Sequence, residues 1–225
     1  RVALITGGAR GLGRAIGLAL AEDGWRVGLC YRTSAGHAAA AVAAMRAAGA
    51  EGRAWQADVS DPVAAERLVG EVEAAWGRVD ALVNCAGPYH RVALLEETIA
   101  GWHEMFDNNL HPVFYLSRLV APGMQTRGWG RIVNFSMVNA DQMAGQPNLT
   151  AHYIAKAGVL VLTRSLARVL APHGVTVNAI SPGFIDSGSM PHDELARMTG
   201  AIPAGYVGSP EDVVGVARFL LSDAA

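Results

Sequence analysis

The stretch Val2-Ala3-Leu4-Ile5-Thr6-Gly7-Gly8-Ala9-Arg10-Gly11-Leu12-Gly13 decides the fold. Its first five residues form an apolar, β-favouring run without polar alternation, the pattern of a parallel strand covered on both faces. Glycines follow at once, and a helical pattern begins beside the last of them. Such a turn lets the backbone approach a pyrophosphate, which then sits at the positive end of the helix. On spacing alone a tight turn serves equally well; a strand before it and a helix after it favour a dinucleotide.

The same alternation continues outward from this turn. Strands are expected at Val2–Thr6, Arg26–Tyr31, Arg53–Ala57, Ala81–Asn84, Gly130–Ser136 and Val175–Ser181, again as continuous apolar runs. Helices are expected near Leu12–Asp23, His37–Ala48, Pro62–Trp76, Thr98–Met124, Thr150–Pro172 and Glu211–Leu221. Asp61-Pro62 and Ser209-Pro210-Glu211 carry the punctuation of helix starts. Strand and helix in turn imply right-handed crossovers and a parallel sheet with helices on both faces. The expectation is an α/β, doubly wound, three-layer α/β/α fold of the Rossmann type, with residues 1–225 forming a single NAD(P)-binding domain.

Composition narrows the function classes. Of 225 residues, 51% are hydrophobic and 17% charged, which argues against disorder. Eighteen basic residues face 20 acidic ones, a formal charge of −2 that gives no general field for nucleic acid or an acidic membrane. Cys30 and Cys85 end apolar runs and read as small buried hydrophobes. No cysteine–histidine spacing suggests a metal, and no apolar stretch reaches the roughly 20 residues of a membrane span. A cytoplasmic protein is expected.

The spacing Thr6-Gly7-x-x-x-Gly11-x-Gly13 resembles that of the short-chain dehydrogenase/reductase family, and further segments fall in the family's order. Asp58-Val59 resembles its adenine-contacting segment. Asn84-Cys85-Ala86-Gly87 resembles its Asn-Asn-Ala-Gly, with Cys85 in place of the second Asn. Trp102 and, seven residues on, Asn109 resemble the helix of its catalytic Asn. Pro182-Gly183 with Ile185 and Ser187 resembles the segment beside the nicotinamide. The resemblance implies a cofactor site of Gly7, Arg10, Gly11, Leu12, Gly13, Arg32, Asp58, Val59, Asn84, Ala86, Gly87, Lys156, Pro182, Gly183, Ile185 and Ser187. The family's closing strand and glycines are not found before Ala225, so the chain is expected to be trimmed. The end of the second strand, Gly28 to Ser34, holds no acid to bond a ribose 2′-hydroxyl, while Arg10 and Arg32 suit a 2′-phosphate. NADP(H) is therefore expected in preference to NAD(H).

The catalytic residues depart from the family. A Tyr and a Lys four residues apart share one helix face in the family, with a Ser on the preceding strand. Lys156 matches the Lys, but four residues before it stands His152. Tyr153 is three residues away and is rotated by about 100°. Met137 occupies the serine position, with Ser136 one before it; in a longer loop Ser136 or Asp141 reaches in. Asn109 and Lys156 complete the set. Three readings stay open: Tyr153 is the acid through a helix irregularity, His152 is the acid, or the proton relay is broken and the domain binds nucleotide without efficient turnover. By resemblance the activity is hydride transfer between NADP(H) and a carbonyl or alcohol, as in reductases of 3-oxoacyl thioesters. A homodimer or homotetramer is expected through the long helices, with a partly apolar lid (Met190, Met198, Ile202) over a small-molecule substrate.

Overall fold

The computed structural model of the chain describes residues 1–186, 199–200 and 202–225. Six strands, β1 Val2–Thr6, β2 Arg26–Tyr31, β3 Gly52–Gln56, β4 Ala81–Asn84, β5 Gly130–Phe135 and β6 Val175–Ile180, form one sheet in the order β3-β2-β1-β4-β5-β6. Every pairing is parallel. The helices among the described residues are α1 Gly11–Glu22, α2 Ala35–Ala47, α3 Pro62–Trp76, α4 Ile99–Asn109, α5 His111–Arg127, α6 Thr150–Leu170 and α7 Glu211–Leu221.

Alternate strand residues feed two cores, one on each face. Leu4, Leu82 and Ile132 point toward Leu68 and Val72 of α3 and Leu116 and Met124 of α5. Ile5, Val83 and Val133 point toward Ile16 and Leu20 of α1, Met45 of α2 and Leu221 of α7. Each of the largest fully buried side chains stabilises the fold by about 1.5–3 kcal/mol relative to exposure. Burial on both faces explains why the strands read as unbroken apolar runs.

A polar thread crosses one of these layers. Asn84 and Asn134 are register partners on β4 and β5, and Asn84 Nδ2 donates to Asn134 Oδ1 at 2.8 Å. Asn134 Nδ2 donates to Thr163 Oγ1 at 2.9 Å, and that hydroxyl donates to the Val159 carbonyl of α6 at 2.7 Å.

The structure corrects the expected helix Thr98–Met124, which is two helices meeting at Leu110, with φ −107° and ψ −51°. Pro112 has no N–H to continue the first helix and crowds the carbonyl four residues back. Asn109 Nδ2 also donates to the Met105 carbonyl at 3.0 Å and competes with the backbone there. The expected helix to Pro172 ends at Leu170 and tightens into a 3₁₀ turn, Ala171–His173, before Gly174 at φ 69°. Strand β3 starts and stops one residue earlier than expected, and β5 and β6 each stop one residue earlier. Strand order reverses between β1 and β4, so a crevice opens beyond their C-terminal ends.

Candidate active site

A cleft of about 920 Å³ occupies that crevice, walled by Gly7, Ala9 to Arg14, Cys30 to Ser34, His37, Ala57 to Val59 and Cys85 to Pro88. Its floor is the turn between β1 and α1. Gly7 and Gly11 have φ of 65° and 51°, which L side chains rarely adopt. At Gly13 a Cβ would lie 2.6 Å from the Gly7 carbonyl oxygen, so a side chain there would push the turn apart. The N-cap residue Arg10 makes no side-chain cap bond, so the positive end of α1 faces the turn. A bare, closely folded turn at an uncapped helix start fits the pyrophosphate of a dinucleotide.

At the far end of the cleft stand Arg10 and Arg32, with Thr33, Ser34 and His37 beside them. Arg32 Nη1 donates to Asn108 Oδ1 at 3.1 Å and lies 3.7 Å from Asp58 Oδ2. Partial burial works to raise the Asp58 carboxyl. The Ser60 hydroxyl and amide, and then Arg32, outweigh it and hold the carboxyl below its ordinary value. Asp58 and Val59 both line the cleft.

The segment after β4 is positioned from below. Thr6 Oγ1 accepts from the Cys85 and Ala86 amides, each at 3.1 Å. Asn84 Nδ2 is engaged inside the sheet while its Oδ1 is buried without a partner, and the residue does not line the cleft; it leads directly into Cys85-Ala86-Gly87. Asn109 Nδ2 donates to the Pro88 carbonyl at 3.1 Å and ties this segment to α4. Its Oδ1 is buried without a partner, where a Cβ on Gly87 would come within 2.3 Å. Pro182, Gly183 and Ile185 follow β6 outside the cleft wall. The Pro182 carbonyl accepts from Val138 N, and Ile185 pairs with Gly208. Ser187, Met190 and Met198 lie outside the described residues.

Lys156 is the sole lysine of the chain; every other basic residue is Arg or His. Its ammonium is buried and donates to the Phe135 carbonyl at 2.9 Å. Burial pushes its pKa down to about 8, partly offset by Cys85. Burial likewise pushes the Cys85 thiol up to about 12, against the pull of Lys156, so it stays protonated at neutral pH. A compact ammonium that titrates this close to neutrality is something an Arg cannot supply.

Around Lys156 the hydroxyls are already engaged. Ser136 is buried and donates to the Lys156 carbonyl at 2.8 Å. Met137, next to it, is half-buried, and Asp141 is exposed. The Tyr153 hydroxyl donates to the Asn139 carbonyl at 2.7 Å and accepts from the Ala144 amide at 3.1 Å. Tyr153 thus clasps the loop after β5, where Asn139 and Met143 hold left-handed φ of 62° and 53°. No bulge in α6 turns it toward Lys156; the helix is continuous from Thr150 to Leu170.

His152 takes the slot one turn before Lys156. It is 6% exposed, and its Nδ1 is buried without a partner. Burial, then Lys156, then His90 push its pKa down to about 4, with the Pro88 carbonyl acting the other way. Above about pH 5 the ring is neutral. The Tyr89 ring meets it edge-on, 5.3 Å between centroids at 87°.

Sequence reasoning missed Thr6 as an anchor, and it missed Tyr89, His90 and Glu97. His90 Nε2 lies 2.7 Å from Glu97 Oε2. The seven-residue gap between these two matches no helical or strand repeat. The only signal was the crowding of titratable residues just after the Ala86-Gly87 turn. Among the described residues no group of three or more His, Cys, Asp or Glu is placed to hold a metal, and no helix is long and apolar enough to cross a membrane.

A parallel sheet reversing at β1/β4, with a bare glycine turn at the reversal and a buried lysine near the crevice, defines a doubly wound α/β protein of the Rossmann-like class. A family model described as enoyl-(acyl carrier protein) reductase matches residues 7–225. A 3-oxoacyl-[acyl-carrier-protein] reductase of Synechocystis is 38% identical over 225 residues, covering 100% of this chain and 90% of the relative. Nodulation protein G of Azospirillum brasilense is 37% identical over 228 residues, covering 100% and 92%. The crystal structure of a candidate short-chain alcohol dehydrogenase from Sinorhizobium meliloti superposes with a TM-score of 0.92 at 33% identity, covering 100% of this chain and 90% of that one. The chain belongs to the short-chain dehydrogenase/reductase family.

Proposed function

We propose that this protein is an NADP(H)-dependent oxidoreductase that interconverts a carbonyl and an alcohol on a small molecule, with 3-oxoacyl thioesters and similar ketones as the substrate class. One observation carries the reading. The uncapped glycine turn opens toward Arg10 and Arg32, and the end of β2 offers no carboxylate to a ribose 2′-hydroxyl. Two guanidinium groups at that end suit a 2′-phosphate. The relatives named as 3-oxoacyl-[acyl-carrier-protein] reductases support the substrate class.

The residues divide the work by position. Gly7, Gly11, Leu12 and Gly13 would hold the pyrophosphate, Arg10 and Arg32 the 2′-phosphate, Asp58 and Val59 the adenine, and Ala86 and Gly87 the middle of the cofactor. The bound nicotinamide would supply or accept the hydride. Lys156 places a positive charge at the inner end of the cleft, and Asn109 holds the Pro88 segment against it. Neutral His152 stands one turn before Lys156, in the slot where the family carries its proton donor. Near neutral pH this suits proton removal from an alcohol better than proton delivery to a ketone.

A second reading has its own observation. The Tyr153 hydroxyl is held by the loop and a methionine stands at position 137, so a weakly catalytic NADP-binding sensor or assembly subunit also fits. Phe114 of α5 and Ile154 and Val161 of α6 are 48%, 42% and 61% exposed, which supports a homodimer or homotetramer; light scattering that returned a monomer would remove this element. The deciding experiment follows NADPH consumption against 3-oxo thioesters, diketones and quinones, beside a fluorescence titration of NADPH. Turnover with at least one ketone establishes the enzyme. Tight NADPH binding without turnover, tested in both directions, transfers the conclusion to the second reading.

A further inference from the structure

The two arginines at the far end of the cleft are built in differently. Arg10 is exposed and makes no cap bond at the start of α1. An arginine side chain has many rotamers, and a ligand that must order it loses affinity in doing so. Arg32 is ordered in advance, at both its main chain and its side chain. Its carbonyl accepts from Gln56 Nε2 at 2.9 Å, which ties the turn after β2 to the last residue of β3. Its Nη1 donates to Asn108 Oδ1 at 3.1 Å and lies 3.7 Å from Asp58 Oδ2.

Of these two holds on the guanidinium, Asn108 is the directional one. The ion pair is long and its partners are 54% and 44% exposed, a setting in which such pairs contribute little. The Asp58 carboxylate is also drawn toward Ser60, whose hydroxyl and amide donate to its Oδ1 at 2.7 Å and 3.1 Å. The Asn108 amide is set by its own helix. Its Nδ2 donates to the Glu104 carbonyl, one turn back on α4, at 2.9 Å, and this aims Oδ1 at Arg32. Arg32 and Asp58 follow β2 and β3, whereas Asn108 stands on α4 beyond β4, so the bond reaches across the cleft that all three line. With Nη1 engaged, Nε and Nη2 make no hydrogen bond among the described residues. Together they form the side of the guanidinium fork that can take two oxygens of a phosphate.

We propose that Asn108 is a specificity-determining residue, which holds Arg32 across the cleft with its Nε–Nη2 edge open to the 2′-phosphate and so favours NADPH over NADH. The inference rests on the NADP(H) reading and names the residue that makes one of its two arginines effective. Asn108 acts through Arg32 and is a positioning residue. The ligand chemistry it serves is a phosphate monoester on the 2′-oxygen of an adenosine.

The test titrates NADPH and NADH by fluorescence on the native full chain, Asn108→Leu, Asn108→Ser, Arg32→Ala and the double variant Asn108→Leu with Arg32→Ala. Adenosine 2′,5′-bisphosphate and adenosine 5′-monophosphate, used as displacing ligands, repeat the comparison without the nicotinamide. Ordering one long side chain at the moment of binding costs about two- to tenfold in affinity, so the preference for NADPH should fall by that factor in both Asn108 variants. The fragment pair should show the same fall. Once Arg32 is Ala, Asn108→Leu should lower the preference no further. General loosening of the fold weakens both nucleotides alike and leaves their ratio where it was. A native preference that survives both Asn108 variants therefore overturns the role of Asn108 alone. A double variant that loses the product of the two single effects overturns it too, since Asn108 would then act without Arg32. Native protein that binds NADPH and NADH equally overturns the NADP(H) reading, and this inference with it.

Discussion

Replacing Tyr153 by phenylalanine removes one oxygen and two hydrogen bonds while keeping a ring that is only 5% exposed. Each bond contributes about 0.5–1.5 kcal/mol net. Asn139 and Ala144 are exposed, so the groups released can turn to water, which places the loss in the lower part of the summed range, about 1–2 kcal/mol. The loop is already under tension, since two non-glycine residues sit in the left-handed region at about 1–2 kcal/mol each. For a chain of this size the melting temperature should fall by about 2–8 °C. Urea unfolding followed by circular dichroism measures the loss. Turnover in the same variant should fall less than about tenfold, mainly through a higher KM, because Tyr153 shapes the loop and does not meet the substrate. The reasoning is refuted by a variant of unchanged stability whose kcat has dropped by 100-fold or more, since only a hydroxyl facing the reacting carbon gives that pair of results.

Three further outcomes follow from the geometry. Gly13→Ala drives a methyl into the Gly7 carbonyl and should weaken NADPH binding at least tenfold, with a stability loss of about 1–3 kcal/mol, read by fluorescence titration and urea unfolding. Arg10→Ala and Arg32→Ala each remove a charge-assisted bond of about 1.5–3 kcal/mol, so NADPH affinity should fall about 10- to 100-fold while NADH affinity holds; equal weakening of both would show that neither side chain reads the 2′-phosphate. Lys156 binds its proton less tightly folded than unfolded, with a folded pKa of about 8 against an ordinary 10.5. Between these values the unfolded state holds more protons, so stability contributed at this site rises with pH by up to about 3 kcal/mol. Lys156→Met should lack that rise when compared with the native protein from pH 8 to 10.

The strands and the glycine turn were legible because their causes are local. Val2–Thr6 reads as a buried parallel strand because both of its faces are covered, Gly7 and Gly11 advertise backbone conformations that few other residues adopt, and Gly13 leaves room for the Gly7 carbonyl. The split of Thr98–Met124 was also written locally, in Pro112 and Asn109, but the long apolar periodicity masked it. The proton-handling residues were less legible for a physical reason. Helix geometry sets Tyr153 about 100° away from the His152 slot, yet whether its hydroxyl finds the loop or the cleft depends on how residues 139–144 fold back. The His90–Glu97 pair comes together through a loop closure that no spacing encodes. The protonation of His152 and Lys156 depends on burial, which a sequence carries only in outline.

The amide thread from Asn84 through Asn134 to Thr163 has a consequence for how the sheet assembles. Apolar strands rich in valine and alanine pair almost as well one residue out of register, since any of their side chains is acceptable on either face. Asn84 and Asn134 are not interchangeable in this way. A one-residue slip between β4 and β5 would send the two amides to opposite faces, each burying unpaired polar atoms at about 1–3 kcal/mol apiece. The pair therefore acts as a parity check at the centre of the sheet, rejecting misaligned pairings that hydrophobicity alone would accept. Because Cys85-Ala86-Gly87 leaves β4 directly after Asn84, the same check sets the height of one wall of the cleft.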